Sequence, residues 1–131
     1  MDKAKIGLIM RVLLGLIFVV FGLNGFLQFM QMPPIPQQGM AFLTGLMAAP
    51  YFFLILKLTE IICGALILAG LFVPLSLVIL APIVLNIVLF HAFLAPGGLM
   101  IALLVLVLEL GVAYMYKDSF SELLEKKADI S

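Results

Sequence analysis

Polar residues are rare along this chain, and they interrupt four long hydrophobic runs. The runs cover about residues 6–30, 51–72, 75–95 and 98–116. A helix needs roughly 20 apolar residues to cross a bilayer, because each residue adds about 1.5 Å of rise. The pattern therefore predicts an all-α polytopic membrane protein, a bundle of four transmembrane helices that forms one domain over residues 1–131.

Two further segments have patterns of their own. The segment 31–50 carries no charged residue, is apolar after Gly39, and is too short to span a bilayer. We expect a short interfacial or re-entrant helix there that covers the outer end of the bundle; a linker in the headgroup layer is the alternative. The tail 117–131 alternates charged and apolar residues, which predicts an amphipathic helix on the cytoplasmic surface.

The basic residues predict the orientation of the chain. All of them except Lys57 lie toward its two ends, at Lys3, Lys5, Arg11, Lys117, Lys126 and Lys127. The positive-inside rule then places both termini in the cytoplasm, and an even number of spans agrees with this.

Composition narrows the class of protein. The chain is 66% hydrophobic with a formal net charge of +0, which excludes an ordinary soluble domain and gives no basic footprint for nucleic acid. The lone cysteine, Cys63, is interpreted as a small packing residue. One histidine and two glutamates spread over three helices do not predict a metal site. No catalytic motif is present, so no catalytic residue is predicted.

Seven polar residues inside the predicted spans are the places where function is sought, since a charge there costs roughly 2.5–3.5 kcal/mol on insertion scales. They are Arg11, Asn24, Lys57, Glu60, Asn86, His91 and Glu109. Arg11 and Glu109 lie at similar depth, roughly 7–11 Å inside the cytoplasmic boundary, which predicts a structural ion pair. The alternative is that Arg11 extends to the headgroups alone.

The other five polar residues form a layer roughly 6–14 Å below the outer surface. Lys57 and Glu60 are spaced i, i+3 and share one helix face, either as part of a binding site or as an ion pair that serves packing. His91 is either a ligand-binding or proton-handling group or a hydrogen-bonded core residue. Asn86 and His91 are about 140° apart on an ideal helix, so they face one spot only if Pro82 alters the winding.

Three stretches resemble the DoxX-like family of small four-helix membrane proteins. They are residues 11–24, 58–64 and 86–91, which read RVLLGLIFVVFGLN, LTEIICG and NIVLFH. The resemblance implies a four-helix bundle in the bacterial plasma (inner) membrane. It directs attention to Arg11, Glu60, Asn86 and His91. The chain departs from the pattern at Asn24-Gly25-Phe26, where many relatives carry a lysine.

The resemblance implies more than one possible activity. Family members are associated with thiosulfate:quinone oxidoreduction and with oxidative-stress assemblies, which makes a quinone the cofactor to expect. Distant eukaryotic relatives act as cargo receptors or membrane chaperones. One fold hosts unrelated functions, so membership does not fix the activity.

The leading hypothesis is a binding protein for a hydrophobic small molecule with a polar head, a quinone or a lipid. Whether it is an enzyme is left open, with the balance against an activity of its own. Its pocket is expected between the first three spans, beneath the 31–50 segment. The predicted ligand-binding residues are Asn24, Lys57, Glu60, Asn86, Phe90 and His91, with Phe93 as a further wall. In a redox assembly, electrons would come from another subunit.

Two other hypotheses remain open. The chain could be a membrane chaperone or interaction subunit that contacts other membrane proteins through a stripe of Gly15, Gly22 and Gly25. The same stripe could instead serve helix packing inside the bundle. A transporter is the third possibility and would need oligomerisation.

Overall fold

The structure, a computed structural model, describes residues 2–31, 34–127 and 129–130. Within these ranges it is helical, with a short 3₁₀ turn at Pro96–Gly98. The α-helices are α1 (Lys3–Leu27), α2 (Gln37–Met47), α3 (Phe52–Ala69), α4 (Val73–Phe93), α5 (Leu99–Met115) and α6 (Lys117–Phe120). By length and composition α1, α3, α4 and α5 with its preceding turn are able to cross a membrane, which confirms the predicted all-α, four-span fold.

The first span ends earlier than the hydrophobic run suggested. α1 stops at Leu27 because Gln28 takes a left-handed conformation with φ 51°. The chain then folds back, and the backbone N–H of Met30 donates a hydrogen bond of 2.8 Å to Oδ1 of Asn24. The polar residue that sequence alone assigned to a ligand site thus closes the end of its own helix.

The second and third spans are joined by a tight turn. α3 ends at Ala69, and Gly70 follows with φ 77°, a conformation that suits glycine because it has no Cβ. α4 begins at Val73, two residues before the predicted start, with Pro74 in its first turn, where a missing backbone N–H costs nothing.

The four spans form a closed bundle in which α1 lies between α3 and α5, and α4 completes the ring on the other side. α1 and α3 are the most closely packed pair. A Cβ at Gly15 would lie 2.8 Å from the backbone oxygen of Gly64 and from the backbone nitrogen of Leu68. The two backbones are therefore in contact, as small residues permit in membrane helices.

One half of the bundle is solid and the other is hollow. The termini end, defined by the contact between Gly7 of α1 and Met115 of α5, is filled with buried apolar side chains. These include Leu14, Ile67, Leu77, Leu80, Val84, Leu108 and Val112. The opposite end, called here the α2 end, contains a cavity.

Helix α2 lies at the opening of that cavity. Its only fully buried residue among those described is Gly39, where a Cβ would lie 3.0 Å from the backbone oxygen of Leu94 and 3.3 Å from the ring of Phe90. The short helix expected between the first two spans is thus present and packs over the end of α4. Residues 32 and 33 of the predicted segment lie outside the described residues.

The tail differs from its prediction. α6 ends at Phe120, and residues 121–124 form turns rather than a continuing amphipathic helix. Leu123 and Leu124 are 67% and 81% exposed, so they find no apolar surface on the bundle that would stabilise a longer helix. Residues 128 and 131 of the predicted tail lie outside the described part of the chain.

Candidate functional site

A cavity of about 470 Å³ occupies the α2 end of the bundle. α1, α3, α4 and α5 form its walls, and α2 borders its opening. Most of its lining is apolar, with a ring of aromatic side chains from Phe18, Phe21, Phe42, Phe52, Phe53 and Phe90. Its polar side chains are Lys57, Glu60, Asn86 and His91. A few polar groups in an aromatic-lined hollow are the usual composition of a small-molecule site.

Lys57 and Glu60 meet at the α3 wall. The ammonium Nζ of Lys57 lies 3.5 Å from Oε1 of Glu60, the one ion pair among the described side chains. Glu60 is 4% exposed, so its negative charge depends on this partner. The aliphatic stem of Lys57 lies against Gly25 of α1. The α3 wall thus presents one positive and one negative charge, which sum to zero.

His91 is fixed near the end of α4. Its Nδ1 lies 3.0 Å from the backbone oxygen of Ala95, and the Phe90 ring stands edge-on to the imidazole with centroids 5.2 Å apart. Gly98 lies beside the ring so closely that a Cβ there would overlap it. These contacts fix the position of an imidazole that borders the cavity.

Asn86 lies one turn before Phe90 on the same helix. Its Nδ2 donates a hydrogen bond of 2.9 Å to the backbone oxygen of Pro82. Asn86 and His91 both line the cavity although their angular separation on an ideal helix is large. The reason is that the cavity borders a broad face of α4, from Pro82 to His91, and does not converge on one point.

The structure brings together five of the six predicted ligand-binding residues, which are Lys57, Glu60, Asn86, Phe90 and His91. Asn24 is not among the cavity-lining residues, because its side chain turns to the backbone of Met30. Phe93, expected as a wall, is 75% exposed and lies outside the cavity lining.

Sequence reasoning missed part of the lining. The pocket was expected between the first three spans, but the fourth contributes Ile101, Ala102 and Val105. Phe42 of α2 also takes part, with its ring 5.7 Å from that of Phe90. The available signal was Ala102, a small residue in a span of large ones, opposite the polar layer.

The model of one protein family, DoxX, matches residues 6–93. The chain belongs to the DoxX family. No curated protein and no solved structure matches it significantly. The DoxX match takes in α1 from its fourth residue and all of α2, α3 and α4, and therefore every polar residue of the cavity. It establishes the family and does not identify a ligand.

The expected ion pair of this DoxX protein, Arg11 with Glu109, is not formed. Arg11 lies on the side of α1 that packs on α3, and its Nη1 would be 3.0 Å from a Cβ placed at Gly70. Glu109 lies on α5, 6% exposed, and its Oε1 has no hydrogen-bond partner among the described residues. Equal depth was a poor guide because the two side chains point toward different neighbours.

Glu109 is buried, and Cys63, which lies beside Ser76, is near it. Cys63 is 4% exposed, in agreement with a packing role. Across the described ranges no three of His, Cys, Asp and Glu are grouped so that they could hold a metal ion.

Proposed function

We propose that this DoxX family protein binds a hydrophobic small molecule with a polar head, of the quinone or lipid class, in the cavity at the α2 end. One observation carries the proposal: four polar side chains from two helices border a single aromatic-lined hollow. A polar group inside a membrane bundle costs free energy, and the binding of one ligand in a shared cavity would account for all four.

The size and chemistry of the hollow support this class of ligand. Pockets for small molecules usually hold about 300–1,000 Å³, and about 470 Å³ lies within that range. Phe42 and Phe90 provide an aromatic wall for a planar headgroup such as that of a quinone. An apolar tail would follow Ile83, Ile87 and Ile101, which border the same space.

A role in a redox assembly is an extension of this proposal. A bound quinone supplies two-electron chemistry, and the side chains of this chain would bind and orient it. Electrons would then come from another subunit, so we do not propose that the chain is an enzyme on its own.

The alternative of a membrane chaperone or interaction subunit relied on the glycine stripe of α1. Gly15 and Gly22 are buried against α3, and Gly25 lies against the Lys57 stem. The stripe is therefore used within the chain, and we favour the binding function.

We further propose that both termini face the cytoplasm of a bacterial inner membrane. The contact of Gly7 with Met115 puts the start of α1 and the end of α5 at one end of the bundle. The basic residues that flank the spans lie at that end. A reporter that is active only in the cytoplasm should be active when fused to either terminus. A reporter that is active only outside the cytoplasm should be inactive at both.

The proposal is tested by mass spectrometry of small molecules that copurify in mild detergent. Ala102 borders the cavity, so Ala102→Leu takes up part of its space, whereas the matched change Ala65→Leu lies on an exposed position of α3. A hydrophobic compound retained by the wild type and Ala65→Leu, and lost from Ala102→Leu, supports the proposal. Equal retention by all three proteins contradicts it.

A further inference from the structure

The hydrogen bonds already made inside the cavity determine which groups are left for a ligand. A backbone oxygen only accepts hydrogen bonds. Since Nδ1 of His91 lies 3.0 Å from the oxygen of Ala95, Nδ1 must carry the proton. In the neutral imidazole Nε2 then holds a lone pair and acts as an acceptor. No described residue donates a hydrogen bond to Nε2.

The same argument applies to Asn86. Its amide could be rotated so that oxygen replaced nitrogen, but two oxygens would then face each other at the carbonyl of Pro82. The amide nitrogen therefore occupies that position, 2.9 Å from the carbonyl oxygen. Oδ1 of Asn86 remains as a second acceptor on the α4 wall.

The wall formed by α3, next to that of α4, determines which headgroup charge the cavity accepts. The Lys57 ammonium is paired with Glu60 at 3.5 Å, so the wall has no net charge. An anionic head, such as a phosphate, would compete with Glu60 for the ammonium and repel the carboxylate. A neutral head avoids both effects.

We propose that the cavity selects an amphiphile whose neutral aromatic head carries a hydroxyl group, a phenol or quinol, over the corresponding ether or ketone. The hydroxyl donates its hydrogen bond to Nε2 of His91, and Oδ1 of Asn86 is a separate acceptor for the second hydroxyl of a quinol. A carbonyl or an ether brings only acceptors and leaves Nε2 facing another lone pair. This inference rests on the proposed function and narrows its quinone class to the reduced form, the quinol, in the same cavity.

The test compares 4-decylphenol with 4-decylanisole, its methyl ether, by isothermal titration calorimetry on the purified full chain in detergent. The anisole is the more hydrophobic compound, so partitioning into apolar space does not favour the phenol. We expect the phenol to bind roughly tenfold more tightly, the effect of about one hydrogen bond in a desolvated site. Decyl phenyl ketone, which also lacks a donor, should bind like the anisole.

Two variants link this preference to His91. His91→Phe keeps a ring but removes Nε2. Without that hydrogen bond the ratio of phenol affinity to anisole affinity should fall to about one. Gly98→Ala keeps every polar group and displaces the imidazole, so it should also reduce the ratio. Gly45→Ala is the matched control, because a Cβ there meets nothing within 4 Å.

The outcomes separate this inference from the proposed function. If phenol and anisole bind equally and both are lost in Ala102→Leu, the cavity binds ligands but the preference is refuted. If His91→Phe keeps the full ratio, the assignment to His91 is refuted. If neither compound binds the wild type, or both bind Ala102→Leu as well as the wild type, the proposed function fails and this inference with it.

Discussion

Gly25 of α1 lies directly against the side chain of Lys57 of α3, and a Cβ at position 25 would come 2.7 Å from Cγ and Cδ of the lysine. The absence of a side chain at Gly25 therefore leaves the space in which Lys57 extends toward Glu60. The contact is made with a flexible stem, so substitution should move the lysine without separating the helices.

We predict that Gly25→Ala weakens ligand binding but preserves the fold. The displaced ammonium would no longer neutralise Glu60 fully, and a partly exposed ion pair contributes about 0.2–1 kcal/mol, so affinity for 4-decylphenol should fall by up to about fivefold. Titration calorimetry measures the change, with Gly45→Ala as the control. Unchanged affinity would show that the position of Lys57 does not matter for binding.

The pairing of Lys57 with Glu60 has a separate consequence for stability. Lys57→Met leaves a carboxylate that is 4% exposed without a partner, which should cost about 1–3 kcal/mol. Adding Glu60→Gln removes the charge and should restore most of the loss. Equilibrium unfolding in mixed micelles gives both values. A double variant less stable than Lys57→Met would contradict the pairing.

The backbone contact of α1 with α3 predicts a difference between two identical substitutions. At Gly64 a Cβ would lie 2.9 Å from the backbone nitrogen of Val19, so Gly64→Ala should destabilise the bundle by about 1–3 kcal/mol. Gly45→Ala has open space and should stabilise it by up to about 1 kcal/mol through helix propensity. Thermal unfolding in detergent compares them. Equal effects would mean that α1 and α3 are further apart than described.

Arg11 and Glu109 should behave as independent residues. Glu109 is buried with an oxygen that lacks a partner, so Glu109→Leu should be neutral or stabilising by about 1–3 kcal/mol. In a double-mutant cycle with Arg11→Met the coupling energy should be close to zero, within about 0.5 kcal/mol. A coupling well above that would restore the ion pair that sequence alone suggests.

Much of the fold was predictable because hydrophobic length is a strong signal in membrane proteins. The four spans, the helix between the first two and the glycine packing of α1 all follow from the pattern of the sequence. Helix ends were less predictable. α1 stops at Leu27 within apolar sequence because of a local hydrogen bond from Met30 to Asn24, which no hydropathy pattern reveals.

The sequence predicted how deep the site residues lie in the membrane, but not which way their side chains point. Position along a helix placed Lys57, Glu60, Asn86 and His91 in one layer, and the structure gives them one cavity. The same reasoning paired Arg11 with Glu109 incorrectly, because depth does not say which neighbour a side chain faces. The contribution of α5 through Ala102 also depends on helix order, which the sequence does not specify.

The most direct test of the central claim is photolabelling with a phenol whose decyl chain carries a diazirine, followed by mapping of the modified residues by mass spectrometry. We predict labels on cavity-lining residues such as Phe90, Ala102 and Val105, with loss of labelling when 4-decylphenol competes. Labels confined to outward-facing residues such as Leu104 and Val107, unaffected by the competitor, would contradict a binding site inside the bundle.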